Sequence, residues 1–369
     1  MKTELSAYEL GNLAKELHLL VDARIDNIYQ NEDEFYLQFH KTGTGKLIFY
    51  IKLPSLCFIS STKSNIPEKP SGFCMNLRKH LSSAKLFSLK QHDFERILEL
   101  DFSSKDKKLK LIIELFSTGN IILLDDKNST IFSYRTQAWS SRTIKAGHQY
   151  SFPPTRADLF KINEEEFAKT ITASSRDSTV KTLAVELGLG GIYSEEILKR
   201  ADIKKEIPPS QLAKIDISKI YSQIHKIKSE KPSPRAYFKE GFLHDITPIS
   251  MHIYEGIDSK HCSSFNDALD LWADKFEKPK KEKIRVVKLN RIIEEQEKNV
   301  QALEIIISEE AKNGELIYEN YAIVKEILEK INELRKKEDW SEVKRKIMNK
   351  YSQVKEIHDK KGEIVVELQ

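Results

Sequence analysis

The sequence has few of the residues that build metal sites or disulfide frameworks. It holds only three cysteines, Cys57, Cys74 and Cys262, and no two of them form a CxxC pair. Its ten histidines show neither HxxxH nor HExxH spacing. A zinc ribbon, a helical metalloprotease site and a disulfide-stapled secreted domain are therefore not indicated. We predict no metal site, no cofactor, and thiols that stay reduced inside the cell.

Long apolar runs are also missing. No stretch approaches the roughly eighteen apolar residues that a membrane span needs, and the N-terminal segment lacks the apolar core of a signal peptide. We therefore expect a cytoplasmic protein without membrane contact. The formal net charge is only +4, which is compatible with a local basic face but does not by itself indicate a nucleic-acid-binding protein. At 369 residues and 40% hydrophobic content, the chain is long enough for two or three domains with real cores.

The first segment, residues 1–154, is predicted to be an α+β domain. Helices are expected over Ser6–Leu20, where Ser6 and Glu9 have the form of a capping box, and over Phe73–Leu81. Many short strands separated by turn residues favour an antiparallel sheet over a parallel α/β fold. The expected strands are Arg24–Gln30, Phe35–His40, Lys46–Ile51, Cys57–Ser60, Leu86–His92, Ile97–Phe102, Leu109–Phe116, Asn120–Asp125 and Thr130–Arg135.

The next two segments are predicted to be a helical domain at residues 155–229 and a small insert of strands and one helix at residues 230–277. In the helical domain, a glycine-rich block, Gly188-Leu189-Gly190-Gly191, separates two helices, and the second is expected to start at Ser194. Glycines allow two tight turns with positive φ, so that the free N–H groups of the second helix could receive a phosphate. Gly190 and Gly191 are therefore candidate phosphate contacts; the alternative is a turn with only a structural role.

The last two segments are predicted to be a coiled-coil arm at residues 278–338 and part of a further domain at residues 339–369. Apolar residues from Leu289 to Ile331 alternate spacings of four and three over roughly six heptads, which predicts one long helix. The arm begins in a basic run that contains Lys280, Lys281 and Lys283, which is either a site for RNA phosphates or a solvated stretch. Gly362–Val366 looks like a strand without a partner, so we expect a truncated domain, and an unpaired arm that could associate with a second copy.

Three blocks in this order resemble the NFACT family, which includes the RqcH and NEMF proteins and is also called fibronectin-binding. The blocks lie in the sheet domain, in the glycine turn and in the arm, and together they span nearly the whole chain. They are Arg24–Gln30 with Asn76–Leu81 and Ile113–Ile121, then Leu187–Leu198, and finally Glu295–Glu297 with Gly314–Tyr321.

The resemblance implies a fold and a function. The fold is a sheet domain like that of formamidopyrimidine glycosylases, a helix-two-turns-helix domain, and the first arm of a coiled coil. The function is that of a ribosome quality-control factor, which binds a large ribosomal subunit obstructed by peptidyl-tRNA. Such a factor recruits tRNA so that the stalled chain is extended without a template. The expected partners are thus tRNA and the ribosomal RNA of the large subunit.

The resemblance also implies tRNA-binding residues. Family members commonly carry an acid in the first helix and an Asp-Arg pair in the meander, and the matching residues here are Glu9 and Glu95-Arg96. Both acids are Glu where the family more usually has Asp, and the longer Glu side chain places the carboxylate one methylene further from the backbone. The alternatives are a helix cap for Glu9 and a solvent-exposed hairpin pair for Glu95 and Arg96. Arg78 and Lys79 could line the same cleft as phosphate contacts, or form a solvated face.

Two other functions compete with this interpretation. The first is DNA binding, because the double turn also resembles that of the glycosylases. Those enzymes attack with an N-terminal proline, whereas this sequence begins Met1-Lys2-Thr3 and has no proline before Pro54. We therefore predict no catalytic residue and no glycosylase activity. The second is the surface adhesin suggested by the fibronectin-binding label, for which the sequence shows neither a signal peptide nor a cell-wall anchor.

Overall fold

The computed structural model describes residues 4–63, 66–104, 107–140, 142–154 and 158–368, without the side chains of residue 272 and residues 274–288. The chain divides into two compact units, Met1–Lys278 and Pro279–Gln369. Among the described residues, no helix is both long enough and apolar enough to span a membrane.

A nine-stranded antiparallel sheet lies at the centre of the first unit. In chain order its strands are Arg24–Asn31 (β1), Glu34–Lys41 (β2), Gly45–Lys52 (β3), Leu56–Ser60 (β4), Lys85–Gln91 (β5), Ile97–Ser104 (β6), Lys107–Glu114 (β7), Asn120–Leu124 (β8) and Thr130–Ser133 (β9). Their order in the sheet is β4-β3-β2-β1-β5-β6-β7-β8-β9, so two meanders meet where β1 pairs with β5. The predicted strands are confirmed, with their ends displaced only slightly.

Two helices cover this sheet and close its core. Helix α1, Ala7–Leu17, packs against β4 and β5, and helix α2, Gly72–Leu81, packs against β1 and β6. The apolar stripe of α1 is fully buried at Leu10, Leu13 and Leu17. Each such side chain stabilises the fold by about 1.5–3 kcal/mol relative to an exposed one. Two short strands, Gln137–Ala138 (β10) and Thr143–Ile144 (β11), pair as a small hairpin after β9.

A helical region with its own apolar cluster follows the sheet. Its helices are Glu164–Ala173 (α3), Thr179–Lys181 (α4), which continues as a π-helical turn to Glu186, Gly191–Ala201 (α5) and Lys214–Ser229 (α6). Asn163 caps α3 in a complete capping box with Glu166. The start predicted for the next helix is wrong. Helix α5 begins at Gly191 rather than Ser194, because Gly190, at φ 77°, serves as its N-cap and Ser194 lies in the first turn, donating to the Gly190 carbonyl.

A three-stranded sheet and the start of a long helix complete the first unit. The strands are Arg235–Lys239 (β12), Phe242–Thr247 (β13) and Asp258–His261 (β14), and the helix is Phe265–Glu319 (α7). The side chain of Asn266 on α7 accepts from the Ile59 N–H at 2.6 Å and donates to the Ile59 carbonyl at 2.8 Å, on edge strand β4. The Glu16 carboxylate accepts from the first N–H groups of α7, at Phe265 and Asn266.

The second unit contains most of α7, then helices Tyr321–Arg335 (α8) and Trp340–Lys350 (α9) and strands Val354–His358 (β15) and Glu363–Val366 (β16). Two sequence predictions are corrected here. The apolar seam does not lie on one uninterrupted helix, because the backbone at Asn320, with ψ 22°, separates α7 from α8. The final strand has a partner, because β15 pairs with β16 in an antiparallel hairpin that the sequence analysis missed.

Candidate nucleic-acid interface

Glu9 is a buried link between the sheet domain and the glycine turn. Its carboxylate accepts from the Ser6 N–H at 2.8 Å, and the Ser6 hydroxyl accepts from the Glu9 N–H at 3.3 Å, so the predicted capping box is present. The other Glu9 oxygen accepts from the hydroxyl of Tyr193 on α5 at 2.8 Å. Glu9 has no exposed surface. In this conformation its carboxylate is enclosed by protein and contacts Ser6 and Tyr193, and a role in tRNA binding stays a prediction.

Tyr193, the partner of Glu9, is itself fully enclosed. Burial raises the pKa of its phenol well above the ordinary value, and the nearby Glu9 carboxylate raises the pKa further. The phenol therefore stays protonated and donates its hydrogen to Glu9. The ring of Tyr8 lies 4.6 Å from that of Tyr193, and the Tyr8 hydroxyl donates to the Ile227 carbonyl at 2.8 Å. These contacts fix the start of α5 against α1.

The glycine block forms two turns at the entrance to α5. Gly188 and Gly190 have φ values of 73° and 77°, a region that side chains with a Cβ rarely adopt. The N–H groups of Leu189 and Gly190 reach back to the carbonyls of Leu183 and Ala184. Since Gly190 has no side chain to cap α5, the helix begins without a side-chain cap, an arrangement that suits an anion at its positive end.

Glu95 and Arg96 lie beside this turn, in a cleft of about 290 Å³ that we call the Arg96 cleft. Arg96 Nη2 donates to a carboxylate oxygen of Glu4 at 2.8 Å and to the Pro54 carbonyl at 3.1 Å. Its Nε is buried and has no hydrogen-bond partner among the described residues. The cleft is lined by Ala7, Asp93, Phe94, Glu95, Arg96, Phe116, Pro153, Pro154, Leu187 and Gly188. The structure thus brings two sequence-predicted features, the Glu95-Arg96 pair and the glycine turn, into one place.

The remaining predicted contacts lie elsewhere. Arg78 and Lys79 are on α2, and neither lines the Arg96 cleft, so a phosphate contact at these two residues stays a separate prediction. Arg78 instead donates from Nε to the Ile28 carbonyl at 2.7 Å and places its guanidinium 5.3 Å from the centre of the Tyr29 ring. The side chains of Lys280, Lys281 and Lys283 lie outside the described part of the chain.

A buried carboxylate on α5 carries a network that sequence reasoning missed. Glu196 has no exposed surface and accepts from the N–H groups of His252 and Ile253, each at 3.0 Å, and from the side chain of Arg200. Burial opposes its ionisation, but the His252 amide and the Arg200 guanidinium outweigh burial and lower its pKa. Arg200 also pairs with Glu230 at the end of α6. The network connects α5 to the end of α6 and to the segment at His252. No motif in the sequence predicts it.

An antiparallel sheet followed by a helical region that contains a double glycine turn defines the class of this protein. The chain belongs to the family of the NFACT N-terminal and middle domains, whose model matches residues 8–366. The family assignment made from the three sequence blocks is therefore confirmed.

Comparison with known proteins identifies relatives that are ribosome quality-control factors by name. The archaeal Rqc2 homolog aRqcH of Methanocaldococcus jannaschii is 30% identical over 394 residues, an alignment that covers 100% of this chain and 58% of the relative. The ribosome quality control complex subunit NEMF of Homo sapiens is 25% identical over 381 residues, covering 93% of this chain and 35% of the relative. The chain therefore spans only part of the length of these relatives.

A solved structure shows the same fold. The fibrinogen binding protein from Staphylococcus aureus superposes with a TM-score of 0.60 at 22% identity, covering 73% of this chain and 98% of the other. At this identity the likeness shows the fold alone. The predicted class, an antiparallel α+β sheet domain followed by helices, is confirmed.

Proposed function

We propose that this chain acts in ribosome quality control in the cytoplasm. It binds a large ribosomal subunit obstructed by peptidyl-tRNA and recruits tRNA for template-independent C-terminal tailing of the stalled chain. The names of the archaeal and human relatives support the general role. The observation that carries the tRNA part is the Arg96 cleft, where Arg96, whose Nη2 pairs with the exposed carboxylate of Glu4, lies beside the glycine turn that leads into α5.

In this proposal Arg96 and the glycine turn hold RNA phosphate together. A guanidinium donates in a planar fork that matches phosphate oxygens, and hydrogen bonds to charged groups contribute about 1.5–3 kcal/mol each. The Nη2 partner Glu4 is more than half exposed, so an incoming phosphate can replace it without uncovering a buried charge. Gly191 presents its amide at the start of α5, whereas Gly190, whose N–H donates to the Ala184 carbonyl, contributes by shaping the turn that the phosphate approaches. Glu95 lines the same cleft, where its negative charge favours a base edge or ribose hydroxyl over a second phosphate.

Glu9 serves this site indirectly. Because its carboxylate joins the N-terminus of α1 to Tyr193 on α5, it sets the position of the glycine turn relative to the sheet. Arg78 and Lys79 on α2, and the lysines at positions 280, 281 and 283, are proposed as separate phosphate contacts, with ribosomal RNA as their partner. Each removed phosphate contact on duplex-like RNA should lower the salt dependence of binding by about 0.9 in log–log slope.

The first test compares tRNA with duplex DNA of equal length. Fluorescence anisotropy at two salt concentrations should show tighter binding to tRNA, since the proposed site belongs to a tRNA-recruiting factor. Equal affinity for both, or cleavage of DNA at an oxidised purine, would instead favour the glycosylase-related interpretation. Binding to immobilised fibronectin without any affinity for RNA would favour the adhesin.

The second test addresses the ribosome. The chain should co-sediment with large subunits that carry peptidyl-tRNA and much less with vacant large subunits. Equal sedimentation with both would show that the chain does not bind the obstructed subunit specifically. Extension of the nascent chain in a messenger-free reaction with purified tRNA then tests tailing separately from binding.

A further inference from the structure

A second cleft adjoins the Arg96 cleft and has a different chemistry. It has a volume of about 220 Å³ and shares Ala7, Asp93 and Phe94 with the Arg96 cleft. We call it the Phe160 cleft. Its remaining lining comes from α1, from the end of β5, from the segment before α3, and from the last turn of α6. The sequence gives no sign of it, because its walls come from four separate parts of the chain.

Aromatic rings form the wall of the Phe160 cleft. Phe94 and Phe160 pack edge to face, with ring centres 4.8 Å apart and planes at 86°. Tyr8 adds a third ring at 6.3 Å from Phe160. Phe94 and Phe160 are both only partly buried, so flat apolar surface remains at the cleft. Surfaces of this kind stack bases that are not paired in a helix.

Lysines surround these rings. Lys228 Nζ lies 5.2 Å from the centre of the Phe160 ring and donates to the Phe160 carbonyl at 2.9 Å. Lys161 pairs with Asp93 at 2.8 Å and with Asp158 at 3.1 Å, and Lys15 is exposed on the last turn of α1. Three lysines against two aspartates leave the rim positive, which suits a ligand with a flat apolar body and an anionic group.

The floor of the cleft is kept open by a glycine. A Cβ at Gly11 would lie 2.5 Å from Gln91 Oε1, so any larger residue would push the Gln91 amide aside. That amide is held by two donations from Nε2, to the carbonyls of Ala7 and Glu95, each at 2.8 Å. Gln91 therefore connects the floor of the Phe160 cleft to Glu95 in the Arg96 cleft, and it offers a polar edge beside the aromatic wall.

We propose that the Phe160 cleft binds one unstacked nucleotide, with its base against Phe94 and Phe160 and its phosphate at Lys15 and Lys228. The nucleotide belongs to the RNA strand whose neighbouring phosphate lies in the Arg96 cleft, so this inference rests on the proposed function. A mononucleotide in solution has the same chemistry, and the test separates the two sources. Lys161 is already paired with Asp93 and Asp158, so we assign it a structural role at the rim of the cleft and no contact with the phosphate.

The test uses the full chain with tRNA and, in a second arm, with AMP and UMP. Phe160→Leu keeps an apolar side chain and removes the ring; it should weaken tRNA binding about fivefold or more, the lower end of measured base stacking. Phe160→Tyr restores the ring and should retain wild-type affinity.

Lys15→Gln should lower the salt slope by about 0.7, the value for one single-stranded phosphate contact. Lys239→Gln, at the exposed β12–β13 turn, is the control and should leave the slope unchanged.

The outcomes separate this cleft from the proposed function. If the wild type binds tRNA no better than duplex DNA, the proposed function fails before any variant is made. If Arg96→Ala weakens binding while a folded Phe160→Leu, with an unchanged melting temperature, binds like the wild type, the Phe160 cleft alone is overturned. AMP or UMP binding that depends on Phe160, with no effect of Phe160→Leu on tRNA, would overturn the RNA strand as the source and assign the cleft to a free nucleotide.

Discussion

The hydroxyl of Tyr193 donates to the carboxylate of Glu9 across 184 positions of sequence, and this 2.8 Å bond joins two parts of the chain that the sequence analysis treated as separate domains. Both side chains are buried, so neither can replace the bond with water. The acid in the first helix and the tyrosine after the glycine turn, two separate features of the sequence, therefore contact each other in the folded chain.

Removing that hydroxyl should destabilise the first unit. In Tyr193→Phe the Glu9 carboxylate loses a donor inside the core, and the free energy of unfolding should fall by about 1–3 kcal/mol. Glu9→Gln should cost less, because glutamine keeps the capping box and a tyrosine hydroxyl can accept as well as donate. Urea unfolding measures both variants. Tyr221→Phe, which loses a partly buried bond to a backbone carbonyl, is the control. A Tyr193→Phe variant as stable as the wild type would contradict the positioning role.

Replacing Arg96 should weaken RNA binding more than it weakens the fold. Arg96→Ala should reduce tRNA affinity by about 1.5–3 kcal/mol, the range for hydrogen bonds to a charged group. Arg96→Lys should recover only part of the loss, since an ammonium lacks the planar fork. Arg176→Ala removes another, exposed arginine of the first unit, which pairs with the partly buried carboxylate of Glu186, and it should have little effect on binding. Equal losses in the Arg96 and Arg176 variants would indicate a general charge effect and contradict a specific site.

Neutralising Glu4 should strengthen RNA binding. Its carboxylate competes with phosphate for Arg96 Nη2, and it is exposed enough for the ion pair to contribute little to stability. Glu4→Gln should raise tRNA affinity modestly, by up to about 1 kcal/mol, the upper range for an exposed pair. The gain should vanish in the double variant with Arg96→Ala, because the two residues act on the same site. A gain that persists without Arg96 would mean that Glu4 repels RNA from elsewhere.

Acid should weaken the first unit through Glu196. Its pKa is lower in the folded protein than the ordinary value of 4.5, so the carboxylate stabilises the fold above pH 4.5. That stabilisation disappears as the pH falls through the folded-state value. Glu196→Gln should lower the free energy of unfolding at pH 7 by about 3–5 kcal/mol, as expected when one partner of a buried charged network is removed. It should also flatten the decline in stability as the pH falls below about 4.5. An unchanged acid profile would assign the decline to other carboxylates.

The apolar seam of α7 should support self-association. Leu303 and Ile307 are 58% and 66% exposed, and they lie in a heptad pattern suited to pairing with another helix. Sedimentation velocity should show a concentration-dependent dimer that Leu303→Lys and Ile307→Lys abolish. Gln301→Lys adds the same charge to the same helix outside the seam and should leave the dimer intact. A wild type that stays monomeric at every concentration would show that the seam does not pair with a second copy of this chain.

Local patterns in the sequence were sufficient to predict much of the fold. The strands from Arg24 to Ser133 are short apolar runs that end in turn residues, and the Ser6–Glu9 spacing specified a capping box that is present. The start of α5 was misplaced because Ser194 has the usual chemistry of an N-cap, whereas Gly190 caps by its backbone angle. The hairpin of β15 and β16 was missed because charged residues dominate β15.

The candidate site was only partly predictable, because it depends on contacts between distant parts of the chain. Motif position alone grouped Glu9 with Glu95 and Arg96. Burial separates Glu9 from the other two, and its carboxylate contacts Tyr193 at the start of α5 instead of lining the Arg96 cleft. The Arg96–Glu4 pair and the Phe160 cleft involve residues without any shared motif, and only the folded chain brings them together.

Asn266 has a consequence for the solubility of the sheet. An edge strand with free N–H and C=O groups is a template on which another polypeptide can add its own strand, which is how sheets polymerise. At Ile59 of β4 the Asn266 amide occupies both backbone groups, as a neighbouring strand would. The start of α7 thus occupies, at Ile59, backbone groups that an added strand would need, and Asn266→Ala should make intermolecular β-pairing at this edge easier.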